Sequence, residues 1–268
     1  DRQWSRGLGD VYKRQGDVFQ IVQRIEGSAI SELAWGTASA STVTLSFKAY
    51  SSLTGTFSGF LRNSASDRYY IFTYSIPVAN TWTDISITIP GDTTGTWLTT
   101  NGYGLGVAWS LGCGSTYQTT AGSWGSGNNR GATGQVNLVA TNGATLYITA
   151  VQLEIGTVAT PFEHRPIGME LSLCKRYFEN LGLTYSGHWG GVKGPQMATS
   201  IYFDVEKRAT PAVDDAVTRN ADSGATATVS ASAITTRKAN YYLGTVGGSN
   251  GHSVHVYATN GINVDAEL

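Results

Sequence analysis

The chain has 268 residues, with 18 Lys+Arg against 19 Asp+Glu and a formal net charge of −1; 41% of residues are hydrophobic, 11% aromatic and only 14% charged. Without a basic cluster, nucleic-acid binding through phosphates is excluded as a main function, because it needs several Lys and Arg side by side. No apolar run approaches the ~18 residues of a membrane span, and the hydrophobic content excludes a disordered chain.

Residues 1–15 (DRQWSRGLGDVYKRQ) carry basic residues and no apolar segment, so they are not a signal peptide. They resemble a translated adapter and are expected to be a non-native leader on a truncated gene. From Phe19 to Leu153 the dominant period is two. Thr42–Ala49 sets Val43, Leu45, Phe47 and Ala49 on one face; Thr83–Ile89 does the same with Ile85, Ile87 and Ile89, and Gly104–Trp109 with Leu105, Val107 and Trp109. Phe19–Ile25, Thr56–Arg62, Tyr69–Tyr74, Gln135–Val139 and Ala144–Leu153 complete about eight half-buried strands. Turn-forming clusters such as Pro90–Gly95 and Asn142-Gly143 separate them. This spacing, without a helical pattern, predicts a jelly-roll β-sandwich over residues 16–160. Serine and threonine, 58 residues together, supply its polar faces. Cys113–Ala132 is expected to be a long irregular loop.

A connector and helix are expected over 161–182. Pro161 and Pro166 bracket the connector. Gly168–Asn180 reads as a three-turn helix with Leu171, Cys174 and Phe178 on one stripe and Met169, Leu173 and Tyr177 on the next. Those stripes pack on a β-domain or form an oligomer core, for which Leu171, Cys174 and Phe178 are the candidates. Strands return over 183–268 as a smaller C-terminal β-domain, with Pro211 as a break and Gly247–Gly251 as a turn. The fold class is therefore all-β: a jelly-roll sandwich, a short helix, then a second β-domain.

Catalytic signatures are mostly absent. There is no nucleophile elbow, phosphate loop or His-Glu-x-x-His. His252 and His255 are three apart, which on a strand sends them to opposite faces. Glu163-His164 reads as a solvated connector pair and Asp214-Asp215 as a solvated turn. Glu26 and Glu32 cannot be placed from sequence. Cys113 and Cys174 match neither a disulfide framework nor a metal-site spacing and read as two buried thiols. No enzyme activity, cofactor or metal is expected. Aromatics carry the more specific signal, because sugars stack their C–H faces on Trp and Tyr while Asn and Arg bond the hydroxyls. Trp82 and Trp109, at strand positions, read as packing residues. Tyr103, Tyr117, Trp124, Asn128 and Arg130 lie in turns and in the long loop, and are the candidate carbohydrate contacts.

The stretch ITAVQLEIGTVATPFEHRPIGMELSLCKRYFEN (148–180) resembles a module of tail fibre and related virion proteins of tailed bacteriophages. QRIEG (23–27), SFKAYSSLTGTFSGFLRNSA (46–65), FTYSIPVANTWTDISITIPGDTTGTW (72–97), ATGQVNLVATNGATLYITAVQLE (132–154), FDVEKRATPAV (203–213) and the terminal DAEL (265–268) are similar to the same pattern. The resemblance is strong over 18–180 and loose beyond. It implies a virion structural protein with a carbohydrate-binding-like jelly roll. Such fibres are typically homotrimers joined to other virion tail proteins and assembled in the host cytoplasm. It also implies recognition of a host cell-surface glycan or receptor, without membrane insertion or nucleic acid. It transfers no glycan-binding residue. Two alternatives stay open: a secreted bacterial carbohydrate-binding module of a glycoside hydrolase, and a depolymerase fragment with two carboxylates ~5–9.5 Å apart in a groove.

Overall fold

The computed structural model describes residues 15–182, 184–188, 197–213, 218–221, 229–243, 253–257 and 262–267. Residues 1–14, His252, Asp214-Asp215 and the turn expected at Gly247–Gly251 lie outside them. The chain divides into two compact units, residues 1–163 and 164–268. The described structure is all-β apart from two short helices and brief 3-10 turns.

In the first unit the elements are β1 (Val18–Glu26), α1 (Gly27–Ile30), β2 (Val43–Ser51), β3 (Gly55–Asn63), β4 (Arg68–Ile76), β5 (Thr83–Ile89), β6 (Tyr103–Cys113), β7 (Gln118–Thr119), β8 (Trp124–Ser126), β9 (Gly131–Ala132) and β10 (Leu146–Ile155). One antiparallel sheet has the order β1-β6-β3-β4-β8 and a second β10-β2-β5, while β7 and β9 pair in parallel. The two larger sheets share one core. Val43, Leu45, Phe47 and Ala49 of β2 are buried in a cluster with Phe57 and Leu61 of β3, Tyr70, Phe72, Tyr74 and Ile76 of β4, and Leu105, Val107 and Trp109 of β6. The alternation in β2, β5 and β6 thus has its physical cause: every second side chain meets the facing sheet, and burying each large one stabilises by roughly 1.5–3 kcal/mol.

Two departures from the periodicity have clear reasons. Gln135–Val139 is no strand. Val136 donates one backbone bond to Thr56 O (2.8 Å), Gln135 uses its side chain to reach the Ser110 hydroxyl (2.8 Å), and a 3-10 turn at Leu138–Ala140 drops Leu138 into the core. Residues 113–132 are not irregular either. They hold a 3-10 turn and β7, β8 and β9, and cover the outer face of the five-stranded sheet. Phe60, Tyr69, Ile71 and Ala108 are buried there with Ala132, so β4 and β6 read as nearly continuous apolar runs instead of clean alternation. Hydrogen bonds pin the covering segment: Gly122 N–H to Ile71 O (2.9 Å), Gly127 N–H to Asp67 O (2.8 Å) and Ala132 N–H to the Ser58 hydroxyl (3.1 Å).

The second unit opens with α2 (Ile167–Lys175). Strands β11 (Phe178–Leu181), β12 (Thr184–His188), β13 (Met197–Tyr202), β14 (Ala212–Val213), β15 (Thr218–Ala221), β16 (Val229–Ser232), β17 (Lys238–Leu243), β18 (Ser253–Tyr257) and β19 (Ile262–Asp265) follow. They form three antiparallel three-stranded sheets among the described residues: β11-β19-β14, β12-β18-β15 and β13-β17-β16. Tyr241, Ile262, Val264 and Ala266 are buried in this unit, as are Lys207 and Glu179.

Candidate functional site

The candidate contacts separate into one group that converges and one residue that does not. The outer face of β1, β6 and β3 is organised in rows. Arg24, Gly106 and Arg62 occupy one row; Val22, Ala108 and Phe60 the next; Gln20, Ser110 and Ser58 the third. Over the first row, Tyr103 lays its hydroxyl against Gly106, where a Cβ would come within 2.2 Å of Oη, so only glycine admits the ring there. The Arg24 guanidinium carbon lies 5.5 Å from the centroid of the Tyr103 ring, and that of Arg62 5.7 Å from the Phe60 ring.

The covering segment adds Tyr117, Asn128 and Arg130. Arg130 N–H donates to Tyr117 O (2.8 Å), its guanidinium lies 5.5 Å from the Tyr117 ring centroid, and its Nε donates to Asn128 Oδ1 (3.1 Å). Burial, and after it the like charge of Arg62, lowers the Arg130 guanidinium from its ordinary value; the nearby Tyr117, Tyr103 and Cys113 oppose this. Tyr103, Tyr117, Asn128 and Arg130 therefore lie around one patch, joined by Arg62 and Arg24, for which the periodicity offers no signal beyond an outward position. Only the pairing register sets those two on either side of Gly106. Two buried polar atoms here, Tyr103 Oη and Arg62 Nε, have no hydrogen-bond partner within the protein.

Trp124 goes elsewhere. Its ring packs edge-on against Trp35 (5.2 Å between centroids) and Trp97 (5.5 Å) and tilted against Tyr70 (5.3 Å), and its Nε1 donates to Pro90 O (2.6 Å). With its faces and its one donor engaged, Trp124 is a packing residue that closes the core beside β8. Trp82 corrects the opposite expectation. Trp109 is buried as expected, but Trp82 is 50% exposed and tilts against Tyr50 at 5.5 Å, with Tyr147 (55% exposed) on the other side of Tyr50 at 5.6 Å. These three aromatics stand on the outer face of β10-β2-β5. Farther along that face a cavity of about 370 Å³ is lined by Phe47, Lys48, Asp84, Ala150 and Phe162 among others. Ala150 lies in a bulge of β10 with φ 52°, where the register slips between Thr149 and Gln152.

The helix is shorter than its apolar pattern. It ends at Lys175, and Phe178 starts β11 opposite Asp265 of β19. Leu171 and Cys174 share a helical face, whereas Phe178 belongs to a strand. Ladder bonds to β19 satisfy the backbone at 178–181, and the strand's period of two buries Glu179 while turning Phe178 out. No residue of α2 is buried: Leu171 is 53% exposed, Ile167, Met169 and Leu173 are exposed too, and Cys174 is an exposed thiol instead of a buried one, unlike Cys113.

Among the described residues no group of three or more His, Cys, Asp or Glu converges as a metal site, and no helix is long and apolar enough to cross a membrane. Glu26 is buried and accepts a hydrogen bond from the Ser28 hydroxyl (2.8 Å). No protein-family model matches the chain, and no curated protein matches it.

Proposed function

We propose that this chain is a non-catalytic glycan-binding virion protein, a tail fibre or receptor-binding fragment of a tailed bacteriophage. It would use the Tyr103–Tyr117–Asn128–Arg130 patch to hold a host-surface saccharide. The observation that carries the reading is that Tyr117, Asn128 and Arg130 are joined on the face where Tyr103 and the half-buried Arg62 lie. A saccharide supplies both complements, hydroxyls for the amide and guanidinium groups and C–H faces for the rings. The first unit is a jelly roll on this reading. The chain crosses between the sheets at β1–β2, β2–β3, β4–β5 and β5–β6, and β6 lies between β1 and β3 while β2 lies between β10 and β5. The uncovered apolar surface of α2 supports a fibre, because exposed Leu, Ile and Met on one short helix suit burial between copies. A homotrimer would multiply a weak sugar contact through avidity.

The test is a microarray of bacterial surface polysaccharides probed with the whole chain, together with cell adsorption. Binding is expected, with at least a tenfold loss in Tyr117→Ala and Arg130→Ala. Silence on every glycan and every cell type overturns the reading. Glycan binding by a strict monomer instead favours the free carbohydrate-binding module.

A further inference from the structure

Among the described residues seven cationic side chains pair with acids or carbonyls: Arg68 with Asp92, Lys48 with Asp84, Arg165 with Glu170, Lys175 with Asp204, Lys207 with Glu179, Arg237 with Glu206 and Arg208 with the Ala266 carbonyl. Arg62 and Arg130 depart from this pattern. Both are half-buried and no carboxylate pairs with either among the described residues; the segment from Gly127, bonded to Asp67 O (2.8 Å), to Ala132, bonded to the Ser58 hydroxyl (3.1 Å), carries Arg130 along the outer face of β3 on which Arg62 stands. The Arg62 guanidinium lies over the Phe60 ring, and its Nε is buried without an acceptor. Arg130 has an amide oxygen and an aromatic ring. Two like charges held together and partly desolvated cost free energy that a bound anion returns. A guanidinium fork matches a carboxylate in two parallel bonds. The Tyr103 ring, laid over Gly106 next to Arg62, and the Tyr117 ring beside Arg130 flank the two guanidinium groups, so an anion there arrives beside aromatic faces.

We propose that Arg62 and Arg130 bind the carboxylate of an acidic sugar, a uronic or nonulosonic acid unit of a surface polysaccharide, with Tyr103 and Tyr117 contacting the ring that bears it. This specifies the ligand class and rests on the glycan reading above.

The experiment is titration calorimetry on the whole chain with three probes: an acidic oligosaccharide, the same oligosaccharide with its carboxylates reduced to alcohols, and inorganic phosphate. The acidic sugar is expected to bind at least tenfold more tightly than the reduced one and to weaken between 50 and about 300 mM salt, as an exposed charge contact does. Arg62→Gln and Arg130→Gln are expected to lose that preference, and Arg62→Lys to keep part of it. Equal binding of acidic and reduced sugars overturns the proposal and leaves the glycan reading standing. Phosphate competing as well as the acidic sugar overturns it in favour of a generic anion site. No binding of either sugar overturns both readings. The comparison of the two sugars on the unaltered protein decides the matter even if an arginine variant fails to fold.

Discussion

At the residue scale, the first unit stakes much on one buried ion pair. The Arg68 fork donates from Nε to Asp92 Oδ2 (2.8 Å) and from Nη2 to Oδ1 (2.7 Å), and the Thr94 N–H (3.2 Å) and hydroxyl (3.1 Å) reach the same Oδ1. The Asp92 side chain is only 2% exposed. Burial works to raise its carboxyl, but Arg68 and Thr94 outweigh burial and the net shift is downward. An unfolded Asp titrates near ~3.9. The folded carboxyl titrates lower, so between those values the unfolded chain binds more protons and stability is lost as the pH is lowered. Urea midpoints measured from pH 6 to pH 2 should decline below about pH 4 in the natural protein, and the decline should be shallower in Asp92→Asn. Identical slopes would show that this carboxylate is not a main source of the acid sensitivity. Arg68→Ala, which strands a buried carboxylate, should cost about 3–5 kcal/mol at neutral pH.

At the element scale, α2 and β11 show two periods competing for one apolar run. Leu171, Cys174 and Phe178 fit a helix as well as anything in the chain, yet the helix stops where pairing with β19 becomes available. No residue of the helix it leaves behind is buried. If copies assemble through α2, Leu171→Asp should reduce the mass seen by light scattering from three chains to one. Its unfolding midpoint should move by less than ~0.5 kcal/mol, as for a surface substitution without partners. A natural protein that is already monomeric at micromolar concentration would remove α2 as the assembly element. Phe178→Asp, on the strand, should weaken assembly less than Leu171→Asp, which separates the helical face from the stripe that includes Phe178.

At the scale of the whole molecule, each unit carries its own core, and each buries an ion pair. The first sets Arg68–Asp92 beside a large aliphatic and aromatic cluster. The second buries an ion pair, Lys207 Nζ to Glu179 Oε1 at 2.8 Å, with the Lys207 ammonium also bonded to Lys175 O and 5.4 Å from the Phe203 ring centroid. Lys207→Met leaves Glu179 buried without its cation and should cost about 3–5 kcal/mol, whereas adding Glu179→Leu should recover much of it. Hydrogen exchange should show the loss in Phe178–Leu181 and Ile262–Asp265 and leave Val43–Ser51 protected; equal loss in both would mean that the units unfold as one. The strands were legible in the sequence wherever alternation met a single facing sheet, as in Val43–Ala49, because a period of two is a local property of the backbone. The Tyr117, Asn128 and Arg130 neighbourhood was legible too, since all three lie within one short segment. Arg62 and Arg24 were not, because only the register across β1, β6 and β3 brings them to Gly106. Trp124 and Trp82 exchanged roles for the same reason: a side chain's exposure depends on what packs over it, and that partner is distant in sequence. The chain by itself thus determined the all-β class and most strand positions, which follow from local periodicity. Only the tertiary structure decided which aromatics are buried, where the helix ends and which charges stand together, because those depend on contacts between residues far apart in the chain.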